Sequence, residues 1–539
     1  MPSYGIIARM KPINTSIFDF PELIRRGCVY VDKTGVLYEI AKPDADGIYY
    51  LPRPRRFGKS LMISTLKALF SGRRELFKGL KIEQKDWDWE KEVYPVLHLD
   101  MSQASSGCLA DFKSNLLNLV EARCLEMGGS FDPKKTAEGN FLNLLEATAK
   151  KSPNGKYVLL IDEYDAPIAK LLDSEKGRAE LADMRTALHD FYVQGKSHCG
   201  DMRFLMVTGV SKFAKTSIFS AFNNPKDLTL DARAADLLGY THEEMETYFH
   251  EHIQAFADER GETYDAAIAE LLAWYDSYQF SPKKPVKVIN PVSLGNALSS
   301  RELKGYWEST AGSTLIFDAL KAGNCGPFDL ASEFDVGTLD AADALEAPTV
   351  ALLYQCGYLT IDRRIDDETV LLKIPNHEVR QSLEKGYMSR LLGKDFAIDA
   401  LMRTARRSAA QLAAEGCTDS FRTMLQSAYS LLPHDWVCKD ETEAKRYFIA
   451  YMCFARAEIA GEPQHATGRP DAVLRTEKGI YVFEFKYAQS ADAALAQCRD
   501  RNYAARFAGE SRPVYYVGVN YDPRSRTIDD VKAEAAVGV

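Results

Sequence analysis

Short apolar runs alternate with stretches whose apolar residues recur three and four positions apart through the first part of this chain. The runs are Gly47-Ile-Tyr-Tyr-Leu51, Tyr94-Pro-Val-Leu-His-Leu-Asp100, Lys156-Tyr-Val-Leu-Leu-Ile-Asp162 and Arg203-Phe-Leu-Met-Val-Thr208. Between them, Leu61 to Phe70 and Arg178 to Val193 carry the helical spacing. Continuous apolar runs read as strands buried on both faces, and the spaced stretches as helices that cover them. Such alternation predicts a parallel, doubly wound sheet with its site at the strands' C-terminal ends. From Asn223 onward the pattern turns helical, and Thr241-His-Glu-Glu244 is a capping box that opens one helix. A short helix from Pro348 to Cys356 precedes two brief strands, Tyr358–Ile361 and Val370–Ile374. That order suggests a winged-helix-like unit, compatible with nucleic-acid or partner binding, though a packing connector is the preferred reading. Near the end, Gly468-Arg-Pro-Asp-Ala-Val-Leu474, a turn at Glu477-Lys-Gly479 and Ile480-Tyr-Val-Phe-Glu-Phe-Lys486 form the pattern of a β-hairpin.

A chain of 539 residues exceeds one core. The pattern divides it into an α/β domain over 1–225, a helical lid over 226–330, a connector over 331–435 and an α/β domain over 436–539. Hydrophobic content of 46% and charged content of 27% are those of an ordinary globular protein. A net charge of −9 argues against a chain that coats nucleic acid non-specifically, yet allows a local basic groove. The ten cysteines form no Cys-x-x-Cys pair and the nine histidines no zinc signature, so the thiols read as reduced and mostly buried. No apolar run approaches the roughly 18 residues that span a bilayer, and the first twenty residues do not read as a signal peptide. A cytoplasmic protein is the expectation.

Candidate chemistry begins at Arg53-Pro-Arg-Arg-Phe-Gly-Lys-Ser60, which lies between an apolar strand and an apolar helix. Glycine-lysine-serine at such a turn makes a phosphate cradle. Lys59 reaches the β- and γ-phosphates, and Ser60 offers a hydroxyl to Mg²⁺. The general pattern wants glycine five residues before Gly58, where this chain has Arg53. The tripeptide alone is cheap, and Gly195-Lys196-Ser197 is a second copy. It follows a helix and leads into no apolar helix, so it reads as a helix end and loop. The first copy has the context, and an acidic strand supports it: Asp162 would hold Mg²⁺, and Glu163 would polarise the attacking water. Thr208, where another strand ends, lies where a γ-phosphate sensor would sit.

These residues resemble the predicted AAA-ATPase-like family of bacteria. The likeness rests on Tyr30-Val-Asp-Lys-Thr34, the loop at Arg53–Ser60, Leu160-Ile-Asp-Glu-Tyr-Asp165, Thr208-Gly-Val-Ser211 and Ile218-Phe-Ser-Ala-Phe-Asn-Asn224. It continues through Trp274-Tyr-Asp-Ser-Tyr278, Asn290-Pro291 and Tyr306-Trp307. The resemblance implies a P-loop NTPase sheet that binds ATP and Mg²⁺, with Arg55, Arg56, Phe57, Gly58, Lys59, Ser60, Leu61 and Thr208 at the nucleotide. Arginine in place of the first loop glycine is usual in that likeness.

The hairpin carries the second signal. Alternation puts Glu484 and Lys486 side by side on one face of a strand, and Asp471 on the neighbouring strand can meet them. Carboxylates placed this close repel unless a cation joins them, which suggests Mg²⁺. The metal would polarise a phosphodiester, and Lys486 would assist the attacking water or stabilise developing charge. The pattern resembles the PD-(D/E)XK nuclease superfamily, in the form fused behind the ATPase family above. That resemblance implies metal ligands Glu462, Asp471 and Glu484, catalytic Lys486, and an auxiliary pair, Gln497 and Tyr503. Glu458 is a rival for the first acid.

Together these readings describe an ATPase whose nucleotide state regulates a Mg²⁺-dependent nuclease acting on DNA or RNA. The alternative is a nucleotide-gated switch that binds nucleic acid or a protein partner without cleavage. A homo-oligomer remains compatible with both, and no membrane partner is expected.

Overall fold

The computed structural model describes residues 10–172, 174–212, 222, 224–307, 317, 320, 333–339, 348–392, 400–401, 403–405, 407, 410–411, 419–430, 437–454, 458–460, 470–476 and 478–536. Two compact units emerge, one of residues 1–316 with 332–380, the other of 317–331 with 381–539. The boundaries expected at 225, 330 and 435 are therefore not those of the compact units. Residues 226–316 and 332–380 fall in the unit that holds the α/β sheet, and 317–331 in the other.

The first unit is built on strands β1 (Ile48–Pro52), β2 (Val96–Asp100), β3 (Tyr157–Asp162), β4 (Met202–Gly209) and β5 (Lys226–Asp227). They form one parallel sheet in the order β2-β3-β4-β1-β5. All six residues of β3 are buried, as its continuous apolar run requires. Helix Lys59–Phe70 follows β1 and buries Met62, Ile63, Leu66, Leu69 and Phe70, the positions its spacing selected. Residues Met245, Phe249, Ile253 and Phe256 of helix His242–Arg260 join Leu271 and Tyr275 in a separate apolar cluster. The capping box at Thr241 and Glu244 is present. Farther on, helix Thr349–Gln355 precedes β7 (Thr360–Arg364) and β8 (Thr369–Lys373), and β6 (Glu333–Asp335) joins them in the order β6-β8-β7. The expected helix and hairpin are thus formed, with a third strand added.

The second unit centres on a five-stranded mixed sheet of β9 (Glu458–Ala460), β10 (Ala472–Thr476), β11 (Gly479–Tyr487), β12 (Val514–Asp522) and β13 (Thr527–Ala535). β10 and β11 are the expected antiparallel hairpin, with Leu474 opposite Tyr481. β12 runs parallel to β11, so the chain must cross over between them, and helix Ala491–Asp500 makes the crossing. No helix among the described residues is long and apolar enough to cross a membrane. Cys28, Cys124, Cys438 and Cys498 are buried free thiols, as read from the sequence.

Candidate functional site

The loop between β1 and helix Lys59–Phe70 turns on two left-handed residues, Arg56 at φ 66° and Gly58 at φ 91°. Arg53 is not one of them, so the missing glycine is no conformational obstacle. Its side chain faces away from the loop's interior. The guanidinium is 2% exposed and donates to the carbonyls of Pro52, Thr229 and Ala234 at 2.9–3.0 Å. It also lies 4.3 Å from the centre of the Phe280 ring. Burial pushes its pKa down to about 10, so it remains charged at neutral pH. Arg53 therefore anchors the strand end.

Lys59 turns its ammonium back into the loop, donating to the Arg53 and Pro54 carbonyls at 3.0 and 3.1 Å. Burial lowers its pKa against the pull of Glu163, Asp162 and Asp165. The Ser60 hydroxyl bonds Asp162. Burial raises the pKa of both Asp162 and Glu163, while Lys59 opposes it in each. Glu163 itself adopts φ 52°, an uncommon conformation for a glutamate and one that clusters at functional sites. Two cavities meet here. One of about 340 Å³ is walled by Arg55 to Leu61, Glu163 and an apolar set that includes Val29, Tyr30, Leu237 and Tyr240. The other, of about 410 Å³, is lined by Ser60, His98, Asp100, Asp162 and Glu163.

Thr208 does not join them. Its hydroxyl donates to the Leu51 carbonyl at 2.7 Å inside the sheet, fully buried, so the γ-phosphate sensor expected there is instead a strand-to-strand tie. Nearby, Asp165 accepts from the Ser211 amide and hydroxyl at 2.7 and 2.6 Å and fixes the end of β4. The second glycine-lysine-serine copy lies in a short 3₁₀ turn, Gln194–Asp201, as its context predicted. Tyr30 and Pro291, quoted above only for a family likeness, prove to be walls of the 340 Å³ cavity.

In the second unit Asp471 sits just before β10 and is fixed twice. One oxygen accepts from the Phe485 amide at 2.8 Å, and the other from Lys445 Nζ at 2.8 Å. Glu484 and Lys486, two residues apart on β11, are 2% and 8% exposed. The third acid is Glu441, in the first turn of helix Glu441–Phe454. Carboxylate oxygens of Glu441, Asp471 and Glu484 all lie within 4.8 Å of one another. Lys486 Nζ stands 3.4 Å from both Glu441 and Glu484. Gln497 donates to Glu484, and the Tyr503 hydroxyl lies 3.4 Å from Gln497, so the auxiliary pair reaches the cluster. Burial first, then the Asp471 charge, pushes Glu484 up to about 8.

Glu462 lies outside the described residues. Glu458 contributes backbone to β9, opposite Arg475. Glu441 was missed because it precedes Asp471 by 30 residues and opens a helix, where an acid is already explained by the helix dipole. A divalent ion fits the donor set. Three hard oxygen ligands converge, and Glu484 Oε2 is buried without a hydrogen-bond partner. The phosphate loop likewise fits a nucleotide, with a buried ammonium, a serine hydroxyl and two carboxylates around it.

Residues 14–219 match the family model described as predicted AAA-ATPase, and residues 439–531 match that of the PD-(D/E)XK nuclease superfamily. A curated relative, described as an uncharacterized protein in the vnfD 5′ region of Azotobacter chroococcum mcd 1, is 29% identical over 513 residues. The alignment covers 93% of this chain and 94% of that protein, so the likeness runs through both matched segments.

Proposed function

Because this chain joins a predicted AAA-ATPase-like domain to a PD-(D/E)XK nuclease superfamily domain, we propose that it is an ATP-dependent, Mg²⁺-requiring nuclease of DNA or RNA, with cleavage regulated by nucleotide state. In this reading the adenine ring enters the apolar cavity beside the loop. Residues Arg55 to Leu61 surround the phosphates, and Lys59 leaves its loop carbonyls for the β- and γ-oxygens. Ser60 and Asp162 would hold Mg²⁺, which supplies charge neutralisation on the phosphates when bound. Glu163, facing both cavities, orients and deprotonates water. In the second unit Glu441, Asp471 and Glu484 would hold the metal, whose chemistry is polarisation of a phosphodiester. Lys486 orients the attacking water or stabilises developing charge, and Gln497 keeps Glu484 in place.

The convergence of three carboxylates from three separate elements, with Lys486 against two of them, supports this reading most directly. Incubating the protein with plasmid or RNA and Mg²⁺, with and without ATP, tests it beside Glu484→Ala and Lys59→Ala. Equal cutting by Glu484→Ala and wild type removes the nuclease assignment. Equal ATP turnover by Lys59→Ala removes the nucleotide assignment.

The Lys445–Asp471 pair favours a second reading. Two lysines already neutralise part of the acid cluster, so the domain would grip a phosphate backbone without cutting it. A tight, uncut complex that responds to ATP is the outcome that supports this switch.

A further inference from the structure

The loop Arg53–Gly58 is braced from outside by residues remote in sequence. Asn290 Nδ2 donates to the Arg55 carbonyl at 3.4 Å, and the Gly239 amide to the Phe57 carbonyl at 3.3 Å. The Phe57 ring meets Tyr278 and Phe280 edge-on, with centroids 4.8 and 5.3 Å away. Pro54 packs on Gly357, where an added Cβ would stand 2.7 Å from the proline Cβ.

Arg56 has the hardest task, because the left-handed region is unfavourable for a residue with a side chain. Its guanidinium donates to the Tyr306 carbonyl. Tyr306 belongs to no helix or strand, yet it is pinned: its amide and that of Trp307 both donate to Glu378 Oε2, at 3.0 and 3.1 Å. Glu378 is 1% exposed and sits in the first turn of a helix that starts at His377. That turn is itself fixed, since Asn376 caps the Val379 amide at 3.1 Å and reaches the Asp276 carbonyl at 3.0 Å. A buried carboxylate is expensive unless hydrogen-bonded and matched by positive charge. Two backbone amides supply the bonds, and Arg56 supplies the charge.

We propose that Glu378 is a positioning residue of the nucleotide loop, holding Arg56 through the Tyr306–Trp307 backbone in the left-handed conformation that shapes the phosphate cradle. The proposal rests on the nucleotide reading above for its functional consequence, though the clamp itself does not require nucleotide. It places the determinant of loop shape about 320 residues after the loop, on an element that touches no phosphate. Glu378 should then govern ATP affinity rather than the chemical step.

Two measurements on the full chain decide. With a fluorescent ATP analogue, Glu378→Ala should weaken binding about tenfold while kcat at saturating ATP stays within about twofold. Glu378→Gln, which keeps an acceptor for both amides, should recover most of that loss. Adding Glu378→Ala to Arg56→Met should cost little beyond Arg56→Met alone, since Glu378 acts through Arg56. Wild-type affinity in Glu378→Ala, or losses that multiply in the double variant, would overturn the proposal. Hydrogen exchange in nucleotide-free protein should show residues 53–60 exchanging faster in Glu378→Ala, and unchanged exchange there also overturns it. A wild type that binds no analogue defeats the nucleotide reading alone, because exchange still judges the clamp. If Glu378→Ala does not fold, Glu378→Gln and Arg56→Met, singly and together, carry the same comparison, with multiplied losses again the overturning result.

Discussion

A lysine ammonium already pairs with Asp471, one of the three acids proposed to hold a divalent cation. Lys445 holds one oxygen of that carboxylate at 2.8 Å, and its side chain is 30% exposed, so the pair is worth at most about 1 kcal/mol. Removing it should release the carboxylate for metal. Lys445→Met is therefore expected to bind Mn²⁺ about fivefold more tightly by calorimetry, with cleavage, if anything, reduced where the ammonium also met substrate phosphate. Unchanged or weaker affinity would show that the ammonium organises the ligand instead of competing for it. The same residue illustrates what a linear reading can reach. Asp471, Glu484 and Lys486 were legible because a hairpin and its alternation place them by arithmetic. Gln497 and Tyr503 came from a family likeness, and both lie at the cluster. Glu441 and Lys445 arrive from a helix whose docking on β11 no local pattern encodes. The anchoring role of Arg53 was not legible for a related reason, since its burial partners, Thr229, Ala234 and Phe280, lie some 180 to 230 residues downstream.

At the scale of elements, the continuous apolar runs gave β1 to β4 and the parallel sheet, because strands buried on both faces leave few alternatives. What they could not give is how each strand end is fastened. Thr208 looks like a sensor by position and proves to be a tie to β1, while Asp165 gathers the turn after β4. In the second unit the crossover helix Ala491–Asp500 carries Gln497 to Glu484 only if it lies close on the sheet. It does so at Gly518 of β12, where an added Cβ would collide with the Ala491 carbonyl. A backbone carbonyl cannot step aside as a side-chain tip can. Gly518→Ala should thus cost about 1–3 kcal/mol in that unit and displace Gln497. Calorimetric Mn²⁺ affinity should fall while binding of the ATP analogue holds. Equal loss at both sites would mean the substitution acts on folding of the entire chain.

For the whole molecule, pH offers a separate probe of the buried clamp. Burial raises Glu378 to about 7 from an ordinary value of 4.5, against the nearby Ser293 hydroxyl, the hydrogen bonds from the Tyr306 and Trp307 amides and the charge of Arg56. Tyr275 and Tyr278 also face it and stay neutral in this range. The folded state then holds a proton that the unfolded state has released between these values. Stability from this group is fully present below about pH 4.5 and is lost as pH rises through about 7. Glu378→Gln should flatten that part of the stability curve in denaturant titrations of the chain. A slope identical to wild type would place the carboxylate's titration elsewhere.

The proposal that nucleotide state governs cleavage makes a demand on the two units together, because the candidate groups for the two chemistries lie in different units. In the proposed reading Lys59 is the phosphate-binding cation of the loop, so Lys59→Ala should remove phosphate binding and leave the residues of the acid cluster unchanged. If ATP acts through that loop, Lys59→Ala should cleave at one fixed rate whether or not ATP is present, whereas wild type should change rate on its addition. The comparison separates regulation from coexistence. Should Lys59→Ala still respond to ATP, the nucleotide must act elsewhere, by chelating Mg²⁺ or by binding the nuclease domain itself. Repeating the assay at fixed free Mg²⁺ tells these apart, since chelation then disappears and a second nucleotide site does not. Should wild type cleave equally with and without ATP, the two activities merely share a chain, and the regulatory half of the proposal fails while both site assignments stand.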